Sequence, residues 1–177
     1  MKLHLGCGKR HIDGWTHVDV VPMDHIDICH DVSNLPMIAD GSVSVVYACH
    51  VLEHFMRKDV PRVLAEWWRV LAQGGVLRCP VPDFAAMAEL YRVKGDLPYI
   101  IGPIIGGQTG LYDFHYNLFD YEQLRVVLVR AGFGHVRRYD WRDTEHAGLD
   151  DYSQSYYPHM DKDGGRLISL NVEAVKV

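Results

Sequence analysis

Between Lys2 and Val81, short apolar runs rich in β-branched residues alternate with polar loops and one segment of helical period, the rhythm of an α/β fold. Strands are expected at Lys2–Leu5, Thr16–Val20, His25–Cys29, Val43–Cys49 and Val76–Val81. Val43–Cys49 is apolar almost throughout, as expected of a central strand covered on both faces.

Asp59 is placed to cap a helix with Pro61 in its first turn, and Val60, Val63, Leu64, Trp67 and Leu71 mark one buried face before Gly74-Gly75 stops it. Pro82-Asp83 opens a second helix through about Arg92, ending near Gly95. Asp120 and Gln123 read as a capping box for a third, which carries Leu124, Val127, Leu128 and Ala131 to Gly132. Residues 95–119 read as a long Gly/Pro/aromatic loop, and loops of that length in a compact domain are usually functional or mobile. A strand near His135–Asp140, a Tyr/His/Asp-rich excursion over 141–166 and a final strand Leu167–Val177 complete the pattern. No repeat, low-complexity tract or linker interrupts it, so one domain over residues 1–177 is expected.

Composition narrows the partners. Eighteen basic residues against 23 acidic ones give a formal charge of −5, and no Lys/Arg block is long enough to follow a phosphate backbone, which argues against nucleic acid. Cys7, Cys29, Cys49 and Cys79 form no Cys-x-x-Cys pair and read as buried free thiols of a reducing compartment. No apolar run reaches the ~18 residues of a membrane span and no signal-like segment is seen, so a cytoplasmic protein is expected, as a monomer or homodimer.

Gly6-Cys7-Gly8 follows the first strand directly, where glycine permits a tight turn and close approach of a ligand to the backbone. The full Gly-x-Gly-x-x-Gly pattern is absent and the acidic residue follows too soon, which argues against a nicotinamide dehydrogenase. Asp19, at the end of the second strand, can accept hydrogen bonds from both hydroxyls of a ribose. Asp31-Val32 offers a carboxylate and a backbone amide suited to an adenine.

In order and spacing, Leu3–Gly8, Gly14–Asp19, Asp31–Pro36, Ala39–Val43, Val51-Leu52-Glu53-His54 and Trp68–Leu77 resemble the class I S-adenosylmethionine-dependent methyltransferases, and within them a compact bacterial branch. Phe119–Phe133 and Ile168–Val177 also look like that branch. The resemblance implies a Rossmann-like three-layer α/β sandwich with a mainly parallel seven-stranded sheet, its last strand antiparallel. The cofactor half would cover about residues 1–84, with substrate-side loops at 95–119 and 141–166. S-adenosylmethionine would meet Gly6, Cys7 and Gly8 at its methionine portion, Asp19 with neighbouring Val20 at the ribose, Asp31 and Val32 at the adenine, and Ala48, Cys49 and His50 at the sulfonium. One departure stands out: about ten residues separate Gly8 from Asp19, too few for the helix that normally follows the first strand. Backbone amides of the loop, or Lys9 and Arg10, would then have to hold the cofactor's carboxylate.

Methyl transfer from a sulfonium needs alignment and no metal, and a hydroxyl acceptor also needs a base, for which histidine is suited near neutral pH. His50 and His115 are the candidates, while His54 reads as support for the local fold. The resemblance suggests a small-molecule or saccharide acceptor, methylated at oxygen. Two alternatives remain. One is a cofactor-binding module without turnover. The other is a zinc hydrolase, because His50-Val51-Leu52-Glu53-His54 spells the inverted zincin motif.

Overall fold

The computed structural model describes residues 1–177. Seven strands form one sheet: β1 (Lys2–Leu5), β2 (Thr16–Asp19), β3 (Ile28–Cys29), β4 (Val43–Tyr47), β5 (Leu71–Arg78), β7 (Phe133–Arg138) and β11 (Val172–Lys176). Their order is β3-β2-β1-β4-β5-β11-β7, and β11 runs antiparallel to both of its neighbours while the other pairings are parallel. The order reverses between β1 and β4, so a crevice opens outside the carboxyl ends of the strands at that point.

The strands' period of two separates the faces. Leu3, Leu5, Val18, Val46, Leu77 and Ala174 join Val63, Leu64 and Trp67 of α1 (Val60–Val70) and Leu124 and Leu128 of α4 (Tyr121–Arg130) in one continuous core. The opposite face presents His4, His17 and Tyr47, all buried. It is covered by irregular chain rather than helix: Ile12 and Trp15 from the loop after β1, and His146 and Leu149 from the late excursion.

Several boundaries differ from the sequence reading. The first helix ends at Val70 and the chain passes at once into β5, with no glycine stop. The reason is tertiary: the Lys176 ammonium, from β11, donates to the carbonyls of Trp68 and Leu71 at 2.8 Å each, satisfying carbonyls that a helix C-terminus leaves unpaired. Gly74 and Gly75 belong to the irregular start of β5 instead. A Cβ on Gly75 would lie 2.8 Å from the Ala72 carbonyl oxygen, so only glycine fits.

Residues 95–119 are not all loop. α2 (Phe84–Lys94), capped by Asp83 and closed by left-handed Gly95, is followed by α3 (Leu97–Ile105), capped by Asp96. Two prolines and Gly102 hide α3 in the sequence, but Ile100 packs with Met87, Leu90 and Ile168, and that burial outweighs the low propensity. The final strand breaks into β9 (Arg166–Leu167), which pairs with β8 (Tyr156–Tyr157), β10 (Ser169–Leu170), which pairs with β6 (Val81–Pro82), and β11. Of the four thiols Cys7 and Cys79 are buried, Cys49 is partly covered and Cys29 is exposed, since β3 is a two-residue edge strand. No helix is long and apolar enough to cross a membrane.

Candidate active site

β1 ends at Leu5, and the chain turns through Gly6 (φ +59°) and Gly8 (φ +54°), backbone conformations that side chains disfavour. The loop is pinned at several points. Gly6 N–H donates to the Val18 carbonyl at 2.8 Å, and Gly8 N–H donates to Asp19 Oδ2 at 2.8 Å. The Gly8 carbonyl accepts from His25 Nε2 at 2.8 Å. The other Asp19 oxygen accepts from Val21 N–H at 2.9 Å, so this buried carboxylate holds the loop it faces.

His17 stands in for the missing helix. Its Nε2 accepts from Ile12 N–H at 2.9 Å, which leaves the proton on Nδ1, 3.2 Å from Asp27 Oδ2. The ring thereby ties the return of the loop to the sheet, and His11 stacks on it with ring centroids 4.6 Å apart. Nothing local in the sequence singled out His17 or His25 for this work.

A cleft of about 240 Å³ opens over these strand ends. Of the expected cofactor residues, Gly6, Asp19, Val20, Asp31, Val32 and His50 line it. The others lie elsewhere: Cys7 is buried beneath the loop, Gly8 is held beside Asp19, and Ala48 sits in the core. Cys49 packs on the Tyr47 face, because the alternation of β4 turns it away. Val32 is fixed from below by Trp67, whose Nε1–H donates to its carbonyl at 2.9 Å. The long loop supplies the far wall, where Tyr112 and Tyr116 stand as expected of pocket-wall residues and Phe114 joins them against His54 and Phe55. Those walls meet because Tyr116 N–H donates to the Glu53 carbonyl at 2.8 Å and the Asn117 amide to that of Phe55.

The cleft suits a nucleoside-bearing sulfonium on this structure's own terms. Two carboxylates, Asp19 and Asp31, line it at adjacent strand ends beside the backbone turn at Gly6, while Gly8, outside the cleft, has nothing within 4 Å of where a Cβ would stand. Gly6 is less tolerant: its Cβ would lie 2.6 Å from Val51 Cγ2. Gly6→Ala is expected to cost about 1–3 kcal/mol in strain. Differential scanning should then show a melting temperature lower by about 2–12 °C, and an unchanged value would refute the constraint.

A second cavity, about 670 Å³, adjoins the first, and His50 and His54 line both. Its remaining walls include Arg10, Tyr99, Asp113, His115, Tyr152 and Tyr156. Arg10 is directed there, donating to the Asp150 carbonyl and lying over the Tyr152 ring, whereas Lys9 is exposed.

The histidines differ in what they can do. His50, itself at φ +54°, has Nε2 3.0 Å from Ser169 Oγ, whose own proton goes to Asn171 Oδ1. That assigns the His50 proton to Nε2 and turns its lone pair on Nδ1 toward Glu53 Oε1, 3.4 Å away. Burial, with smaller contributions from His115 and His54, lowers the His50 pKa to about 3. His54 and His115 donate from Nδ1 to the carbonyls of Phe114 (3.1 Å) and Pro103 (2.9 Å), leaving each Nε2 lone pair free. Burial lowers both pKa values, so both rings are neutral at pH 7.

The helical His-x-x-Glu-His arrangement does not form. Residues Leu52–His54 make a three-residue 3₁₀ turn with Val51 before it, so His50 and His54 do not share one helix face.

The family model described as "Methyltransferase domain" matches residues 8–79. No curated protein matches the chain. Among solved structures, a possible histamine N-methyltransferase from Thermotoga maritima has a TM-score of 0.59 at 16% identity, covering 99% of this chain and 82% of that one. A 1,6-didemethyltoxoflavin-N1-methyltransferase from Burkholderia thailandensis, with bound S-adenosylhomocysteine, has a TM-score of 0.59 at 14% identity, covering 99% and 70%. An S-adenosylmethionine-dependent methyltransferase from Methanosarcina mazei has a TM-score of 0.58 at 18% identity, covering 99% and 92%. At such identities the likeness is one of fold. With the glycine loop, the sheet order and the domain match over residues 8–79 on the same strands, the chain has the Rossmann-like fold of the S-adenosylmethionine-dependent methyltransferases.

Proposed function

We propose that the chain methylates a hydroxyl of a small polar molecule, of saccharide type, seated in the larger cavity. The observation that carries this reading is the shared wall of His50 and His54: one cavity ends where the other begins, so donor and acceptor would meet in line across it. S-adenosylmethionine supplies a methyl group already activated by the sulfonium charge, and the protein's task is to hold the two partners.

Asp19 would accept from the ribose hydroxyls and Asp31 with Val32 would flank the adenine, while Gly6 lets the backbone approach. His50, bonded to Ser169, positions the wall. Its low pKa makes it a weak base, so dealing with the hydroxyl proton falls to His54 and His115, whose Nε2 atoms are free. Arg10, Asp113 and the tyrosines give the larger cavity the polar, aromatic lining that a sugar-like acceptor needs.

The test is release of S-adenosylhomocysteine in the presence of a panel of sugars, other small hydroxyl compounds, and amines. His115→Ala is expected to lower kcat by about 10²-fold or more, with S-adenosylmethionine affinity within twofold of wild type. Turnover of amines with hydroxyl compounds inert would move the acceptor to nitrogen and sink the oxygen assignment.

A further inference from the structure

Glu53 is the least comfortable side chain in the molecule. It is fully buried, and neither carboxyl oxygen has a hydrogen-bond partner. A buried, unpaired carboxylate is costly, and such groups normally pair or coordinate metals. His50 Nδ1, at 3.4 Å, is too distant to satisfy it.

Two more donors converge there. One ligand atom from each of Glu53, His54 and His115 lies within 4.8 Å of the other two, and the histidine rings meet edge to face with centroids 4.7 Å apart. Both histidines already commit Nδ1–H to backbone carbonyls, those of Phe114 and Pro103. That is the outer-shell arrangement that fixes the tautomer of a metal-bound imidazole and presents its Nε2 lone pair. The backbone is built for the meeting: Tyr116 N–H and Asn117 N–H both donate to the Glu53 carbonyl, and His115 N–H donates to that of Ile105.

We propose that Glu53, His54 and His115 form a binding site for a borderline divalent transition-metal ion such as Zn²⁺, with its open coordination positions toward the larger cavity. Two imidazoles and one carboxylate suit such an ion, and three protein ligands leave room for a further oxygen. With metal–ligand bonds of about 2.0–2.1 Å, tetrahedral donors stand roughly 3.4 Å apart, so the side chains close in by roughly an ångström on binding. The site differs from the one the pentad motif suggested, since His115 replaces His50. With the ion bound, the Nε2 lone pairs of His54 and His115 are committed to it and no longer serve as a base, and an acceptor oxygen on the ion would instead lose its proton more readily; that role rests on the proposed function, whereas ion binding does not.

The experiment strips the full-length protein with a chelator and titrates it with Zn²⁺ by calorimetry, without cofactor or acceptor, then with Co²⁺ while recording the visible spectrum. One ion per chain is expected, with ligand-field bands for Co²⁺. Affinity should fall at least tenfold in each of Glu53→Gln, His54→Ala and His115→Gln and stay within threefold of wild type in His50→Ala. Absence of stoichiometric binding by wild type overturns the proposal even if a variant fails to fold. Binding that survives His115→Gln but not His50→Ala overturns it in favour of the pentad. S-adenosylmethionine titrated into the same metal-free protein separates the two readings, because loss of cofactor binding with the ion site intact would defeat only the methyltransferase mechanism.

Discussion

Asp19→Ala is expected to reduce S-adenosylmethionine affinity by about 10²-fold or more, the largest effect of any single cleft substitution. The carboxylate has two tasks. It accepts from Gly8 N–H and Val21 N–H, which sets the loop over the cleft, and in the proposed pose its remaining lone pairs receive the ribose hydroxyls. Hydrogen bonds to a charged group contribute about 1.5–3 kcal/mol each, so losing even one on each side accounts for the predicted drop. Asp19→Asn keeps the shape and one acceptor oxygen but turns an amide N–H₂ toward a backbone N–H, and it should fall between alanine and wild type. Calorimetric titration of the three proteins, each checked by circular dichroism, decides the matter. Equal affinity in wild type and Asp19→Ala would remove Asp19 from the cofactor site.

The second large effect is acid sensitivity. Burial lowers the pKa of His4 and His50 to about 3 and that of His146 to about 4. Below the ordinary histidine value of 6.5 the unfolded chain binds protons at these three positions that the folded chain refuses, so stability is fully present above pH 6.5 and is lost as pH falls toward 3–4. Glu53 acts in the opposite sense. Burial raises its pKa to about 8, so the folded form keeps a proton that the unfolded form releases above 4.5, and this contribution is lost as pH rises through 8.

Between pH 4.5 and 6.5 three histidine protons oppose one from Glu53. These four groups alone give a net uptake on unfolding that approaches two protons, a slope on the order of 2 kcal/mol per pH unit, and His17, His54 and His115, whose pKa values burial also lowers, add to it in the same sense. Against a total stability of about 5–15 kcal/mol, cooperative unfolding is expected by about pH 4. Urea midpoints at pH 7, 6 and 5 measure the slope, and His146→Gln should flatten it by up to one proton. A midpoint constant over that range would show that these histidines are not held neutral by burial.

The parts legible in the sequence are those written in local pattern. The first two strands, the α1 face of Val60, Val63, Leu64 and Trp67, and the caps Asp83 and Asp120 follow from period and from side chains that bond their own backbone, and the structure has them. Gly6, Asp19 and Asp31 end up on one cleft because each stands at or just beyond the carboxyl end of a neighbouring parallel strand, a geometry that motif order along the chain anticipates. α3 was not legible, since its Pro98, Gly102 and Pro103 argue against helix and only contact with Met87, Leu90 and Ile168 supports it.

The sequence by itself determined the α/β class, the glycine turn with its acidic followers, and the absence of room for a helix after β1. Those features depend on spacing within a few residues of one another, where backbone geometry leaves few choices. Only the tertiary structure decided what replaces that helix, a histidine that bonds both Ile12 and Asp27, and what ends α1, a lysine 106 positions beyond Val70 in the chain. It alone brought His115 to Glu53 and His54, through backbone hydrogen bonds between residues 53–55 and 116–117. Long-range contacts of this kind place a donor by where the chain is pinned, and no local periodicity records where that will be.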